Sequence, residues 1–148
     1  EFPFTPNDKT AVRAQFIESL RSLGRTAPTF GLSVRGLASY VALTLLPAHR
    51  PDPGASPRTR LDVSLLQQLV VPILCPTQQE QEAIVYTKDD AEALDWAQDG
   101  SGTGALLLNA TKVSEVQAVA VAGERMPHKS TYFYPKPLTG LVINVMEG

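Results

Sequence analysis

One cysteine, Cys75, occurs in the whole chain. An internal disulfide is excluded, a cysteine-built metal cluster with it, and a reducing, cytoplasmic setting is expected. An excess of one charge is also lacking. Thirteen Lys and Arg stand against fifteen Asp and Glu, a net charge of −2, so nucleic acid is not expected as a partner. Long apolar runs are missing too. The longest, around Leu69 to Cys75, is cut by Pro72 and falls short of the ~20 residues that span a bilayer, so no membrane partner is expected. The chain has no initiator Met, signal-peptide pattern, repeat or low-complexity tract. It reads as one domain, 1–148, the carboxyl-terminal part of a longer protein, with a candidate sub-boundary in the Pro-rich loop 47–60.

What is present is an ordinary globular composition, 43% hydrophobic and 19% charged, which excludes wholesale disorder. Thr10 to Leu23 sets Val12, Phe16, Leu20 and Leu23 at helical spacing, with Ile17 widening the stripe. Asn7, Asp8 and Thr10 offer cap oxygens and Gly24 a stop. Phe30, Leu32 and Val34 then alternate, Arg35-Gly36 marks a turn, and Val41, Leu43 and Leu45 alternate again, the pattern of a hairpin with one buried face. Leu61 to Val71 reads as a helix capped by Asp62, with Val63, Leu66, Leu69 and Val70 inward, ended or kinked by Pro72 and Pro76.

Beyond it, Ile84-Val85-Tyr86 reads as a short strand, and Asp89 or Asp90 caps a helix through Ala97 with Ala93, Leu94 and Ala97 inward. Ala105 to Leu108 has the length of a strand buried on both faces. Thr111 is expected to cap a helix that carries Val113, Val116 and Ala120 and closes at Gly123; Leu141-Val142-Ile143 is a last strand. The expected fold is α+β, α/β-like: a mixed sheet with helices packed on it, in the order α-β-β-α-β-α-β-α-β.

Most chemical candidates have plain readings. Gly100-Ser101-Gly102-Thr103-Gly104 follows a helix and precedes a strand, the reverse of a nucleotide loop, and lacks the Walker lysine, so it reads as a connection. His49 and His128 are far apart with no carboxylate or Cys at ligand spacing, so no metal site is expected. Cys75 reads as a buried, inert thiol. Asp62, Asp89 and Asp90 could hold magnesium, but each stands where a helix needs a cap. Asn109-Ala110-Thr111 matches a glycosylation acceptor that a cytoplasmic setting makes irrelevant.

The run from Gly123 to Lys136 is different. Two prolines, three aromatics and the cations Arg125, Lys129 and Lys136 crowd between a helical and a strand pattern. Lys129 with the hydroxyls and amides of Ser130 and Thr131 could surround an anion, since lysine serves as a point charge and hydroxyls add short donors. Tyr132, Phe133 and Tyr134 alternate, so one face could be core and the other present phenols. The same residues also suit a proline-pinned crossover that locks the last helix to the sheet. Both readings stand on the sequence. No nucleophile with a positioned base can be assembled.

Gly123-Glu124-Arg125-Met126-Pro127, then Lys129-Ser130-Thr131-Tyr132-Phe133-Tyr134-Pro135-Lys136 and Thr139-Gly140-Leu141-Val142, closely resembles the carboxyl-terminal signature of the bacterial and archaeal domain of unknown function 1015 family. Leu61-Asp62-Val63-Ser64-Leu65-Leu66, Tyr86-Thr87-Lys88-Asp89 and Leu107-Leu108-Asn109 resemble further landmarks in the expected order. The likeness runs from about Leu61 onward and is looser over residues 10–46. It departs at His128, where relatives have Gln or Pro, at Ala110 for Pro, and at Pro137 for an aliphatic residue. The resemblance implies a longer parent with an upstream ParB/sulfiredoxin-like part that carries an Asp-Gly-His-His-Arg segment, absent here. It further implies nucleotide-dependent phosphoryl transfer to free L-serine in the intact protein, with ATP or ADP and Mg there and no cofactor in this piece. On that reading the missing amino-terminal domain is the first partner, and the piece alone is inactive. The alternative is a non-enzymatic interaction module or homodimer with the aromatic loop as its contact surface.

Overall fold

The computed structural model describes residues 1–131. Four strands form one sheet in the order β1-β3-β2-β4, where β1 is Phe2–Pro3, β2 Thr29–Val34, β3 Ser39–Thr44 and β4 Gly104–Leu108. Each pairing is antiparallel: Leu32 faces Val41 across the hairpin and Leu106 across the β2–β4 ladder. The α+β class is as read, while the pairings among the described residues are antiparallel rather than mixed. The expected strand at Leu141-Val142-Ile143 lies outside the described residues.

The hairpin is buried on both faces, not one. Alternation along each strand sends Tyr40, Ala42 and Leu107 to the first face. They meet Phe16 and Leu20 of α1 (Lys9–Leu23) and Leu94 of α5 (Asp90–Asp99) there. Phe30, Leu43 and Leu106 point to the second face, against Leu65, Leu66, Val70 and Val71. Tyr40 is fully buried, its ring stacked 5.0 Å from Phe16. Gly31 is the reason α1 can lie so close. A Cβ there would come within 2.7 Å of Leu20 and 2.8 Å of Phe16, so only glycine fits between helix and strand. Arg13 pairs with Asp95, which ties α1 to α5, and Gln98 Nε2 donates to Ser33 Oγ at 2.9 Å, which ties α5 to β2.

Several helix ends differ from expectation. Asp8 stands at the cap of α1 but accepts from the Thr5 backbone N–H and hydroxyl, so the turn before the helix takes its carboxylate. Leu23 is exposed. Gly24 keeps a right-handed φ of −65°, and Asn109 Nδ2 closes α1 by donating to Leu20 O at 3.1 Å. Asp89 caps α5 as expected, accepting from the amides of Ala91 and Glu92. In place of the expected strand at Ile84-Val85-Tyr86 there is coil. Before it comes the short helix α4 (Gln78–Glu82), opened by a capping box in which Thr77 and Glu80 satisfy each other's free amides.

The helix expected over Leu61 to Val71 is built in three parts: α2 (Asp62–Leu65), a π turn Leu66–Val70 and α3 (Val71–Leu74). Proline at 72 has no N–H and its ring would strike the carbonyl four residues back. The wider π turn absorbs that conflict, so the helix passes through Pro72 instead of stopping. Leu61 is the cap residue and Asp62 the first helical residue; Leu69 points outward. Cys75, at the end of α3, is half-buried and unpaired. No helix among the described residues is long and apolar enough to cross a membrane.

Candidate anion-contacting loop at the end of the last described helix

The loop begins where α6 (Val113–Val121) stops. Gly123 takes the left-handed region at φ +71°, where a side chain would be strained, and this allows two closing bonds. Glu124 N–H donates to Val119 O and Gly123 N–H to Ala120 O, the paired bonds of a Schellman motif. Val119 is the buried residue of the helix, and Val113 and Ala120 are exposed.

Glu124 then fastens the loop to the Pro-rich segment. Its carboxylate accepts from Ser56 Oγ at 2.5 Å and from the Arg58 backbone N–H at 3.2 Å. The Ser56 hydroxyl, then the Arg58 amide, hold the carboxyl below its ordinary range. Segment 56–64 is braced in turn by Thr59 Oγ1 on Ser56 O and Ser64 Oγ on Arg58 O. The far end of the loop is held at Thr111. Its hydroxyl does not cap α6; it donates to Ser130 O at 2.9 Å, and the Lys112 N–H at the helix start is taken by Glu115. Ser130 Oγ donates to Pro127 O at 2.6 Å, with Pro127 buried.

Between these anchors the cations stand out. Arg125 and Lys129 are exposed, and His128 lies edge-on to Tyr86 with ring centroids 6.4 Å apart. Lys129 has φ +56°. A non-glycine residue in the left-handed region costs about 1 kcal/mol or more and persists where its surroundings impose it. Here the Ser130–Pro127 and Ser130–Thr111 bonds impose it. Thr131 is exposed, and the Ser130 hydroxyl is already engaged within the loop. Lys136 and the aromatics Tyr132, Phe133 and Tyr134 lie outside the described residues.

A shallow cleft of about 270 Å³ flanks the first turn of α6, lined by Pro57, Arg60, Leu61, Ser114, Glu115 and Ala118. Asp62 sits half-buried beside it. Burial, then the charge of Glu115, raises its carboxyl above the ordinary range, while Lys112 pulls the other way. Asp62 is therefore a partly desolvated anion rather than the expected cap. Its partner Glu115 gives a pair of carboxylates, and among the described residues no three His, Cys, Asp or Glu converge.

Arg125, Lys129, Ser130 and Thr131 are thus brought onto one braced loop. His49 is remote in sequence, on the exposed 3-10 turn Pro47–His49. The sequence reading missed Glu124, Ser56 and Thr111 as the clamps; a hydroxyl-rich Pro segment and an acid right after a closing glycine were the available signals. Gly100 to Gly104 is a helix-to-strand connection, as read, with Gly100 at φ +94°. The chain matches no protein-family model, no curated protein and no solved structure.

Proposed function

We propose that this chain is the carboxyl-terminal part of a cytoplasmic, nucleotide-dependent small-molecule kinase of the family it resembles, acting on free L-serine in the intact protein. Its own share is to hold the Arg125–Lys129 cations against a phosphate or a neighbouring domain's anionic group. Phosphoryl transfer rests on positioning and on neutralising charge, so a rigid cationic loop is a useful contribution even without a reacting group. The observation that carries the reading is Lys129. Its backbone is held in the left-handed region by neighbouring hydrogen bonds while its side chain is exposed.

Thr111 brings the loop to the start of α6, where Glu115 takes the Lys112 N–H and stands with Asp62 as a second carboxylate. Asp62 and Glu115 would suit a largely hydrated magnesium ion, which needs only one or two carboxylates and takes the rest of its ligands from water and phosphate. Such an ion would neutralise phosphate charge.

Calorimetric titration of the chain with ATP and ADP, with and without magnesium, tests the reading. Binding is expected, and Lys129→Ala should weaken it by about 10-fold, the worth of one charge-assisted contact. Binding that is unchanged in Lys129→Ala and Arg125→Ala contradicts it. In the intact parent the same substitutions should lower serine phosphorylation.

A further inference from the structure

We infer that Ser56 is a phosphoryl-accepting hydroxyl, with Glu124 as its general base. The sequence offers no nucleophile with a positioned base, but the fold assembles one from residues 68 positions apart. Ser56 Oγ donates to Glu124 Oε1 at 2.5 Å, and the second oxygen of that carboxylate accepts the Arg58 N–H at 3.2 Å. A hydroxyl bonded to a base that a third group orients is the arrangement that activates a nucleophile. Ser56 itself is held still, because its carbonyl oxygen accepts the Thr59 N–H at 3.0 Å and the Thr59 hydroxyl at 2.8 Å. Glu124 is placed by the closing turn of α6, where Gly123 sits at φ +71°.

A structural clasp would need no more than the Ser56–Glu124 bond. The surroundings go further. Ser56 is half-buried rather than sealed in, and the next residue, Pro57, lines the cleft of about 270 Å³ together with Arg60. Arg58 and Arg60 are exposed, and the positive charge of Arg58 acts on the Glu124 carboxylate. Arg60 spends one N–H on Pro53 O at 3.1 Å, and a guanidinium carries several more. Cations at a cleft beside a hydroxyl suit the charge spread over a transferring phosphoryl group. Ser56 Oγ forms a bond to the terminal phosphorus of the donor, and the bond from that phosphorus to the bridging oxygen breaks. The hydroxyl proton passes to Glu124, and the nucleoside diphosphate leaves with the electron pair. The step rests on the function proposed above for its donor, a nucleoside triphosphate; that function itself asks only for contact with an anion.

Incubation of the chain with magnesium ATP, and separately with magnesium and acetyl phosphate, is the test, read by intact-mass and peptide-mapping mass spectrometry. One phosphoryl group should appear per chain, at Ser56. Ser56→Ala should lose it, and Ser56→Thr, which keeps the hydroxyl, should retain it. Glu124→Gln keeps an acceptor for the Ser56 hydroxyl but takes up no proton, so labelling should slow by about 100-fold, the worth of a general base. Labelling at another residue, a rate unchanged in Glu124→Gln, or no labelling by either donor overturns the inference. Labelling by acetyl phosphate alone upholds Ser56 as the acceptor and counts against the nucleotide. Calorimetric binding of ATP without labelling removes the inference and leaves the nucleotide reading standing.

Discussion

Asp62 shows how one residue's environment outweighs its local role. At the first position of α2 the helix dipole favours an anion, yet burial and the neighbouring Glu115 raise the carboxyl. The native state therefore holds the Asp62 proton more tightly than the unfolded chain does, and stability falls as pH rises from the ordinary Asp value of 3.8 through the raised one. Asp62→Asn should stabilise the fold at pH 7 by about 0.5 kcal/mol, a figure reduced for the screening of a half-exposed group. The gain should shrink toward pH 4, where the wild-type carboxyl takes up its proton. Denaturant midpoints at the two pH values check this, and loss of stability at pH 7 would refute it. Glu124 and Asp95 act with the opposite sign. The Ser56 hydroxyl lowers the first and Arg13 the second, so what they contribute is present above their unfolded values and lost as the solution is acidified.

At the scale of elements, legibility followed periodicity. The helices α1 and α5 and the β2–β3 hairpin were readable because their apolar spacing runs over several turns or alternations, long enough to exceed chance. Ile84-Val85-Tyr86 misled because three apolar residues are strand-like in composition, but no strand among the described residues takes them up. The clue to α4 was present in Thr77-Gln78-Gln79-Glu80, a capping-box spacing. The passage of the helix through Pro72 was not legible. Whether proline ends a helix or is absorbed by a π turn depends on tertiary packing, here Val70 and Val71 on the second face of the sheet. Tyr40 as a core residue was hidden for a related reason. A sheet covered on both faces removes the polar alternation by which a one-sided strand is recognised. Gly31 offers the direct test at this scale. Gly31→Ala forces a Cβ against Leu20, Phe16 and Leu107 and should cost about 1–3 kcal/mol by overpacking, measurable as a lowered thermal midpoint. An unchanged midpoint would mean that α1 does not sit on β2 as described.

For the whole molecule, a two-faced antiparallel sheet carries α1 and α5 on one side and the π-turned helix on the other. The loop that holds Arg125 and Lys129 is fastened to the Pro-rich segment at one end and to the start of α6 at the other. The cationic residues were legible from composition, because such a density of cations, prolines and hydroxyls suits no regular element. Their bracing was not, since Ser56–Glu124 and Thr111–Ser130 join positions 68 and 19 residues apart by single hydrogen bonds that leave no periodic trace. The central claim is that this braced loop presents its charge to an anion beside α6. Backbone amide NMR during titration with magnesium ATP tests it most directly. The account predicts shifts concentrated at Arg125 to Thr131 and at Val113 to Glu115; shifts confined to other parts of the sheet, or none at saturating nucleotide, would contradict it.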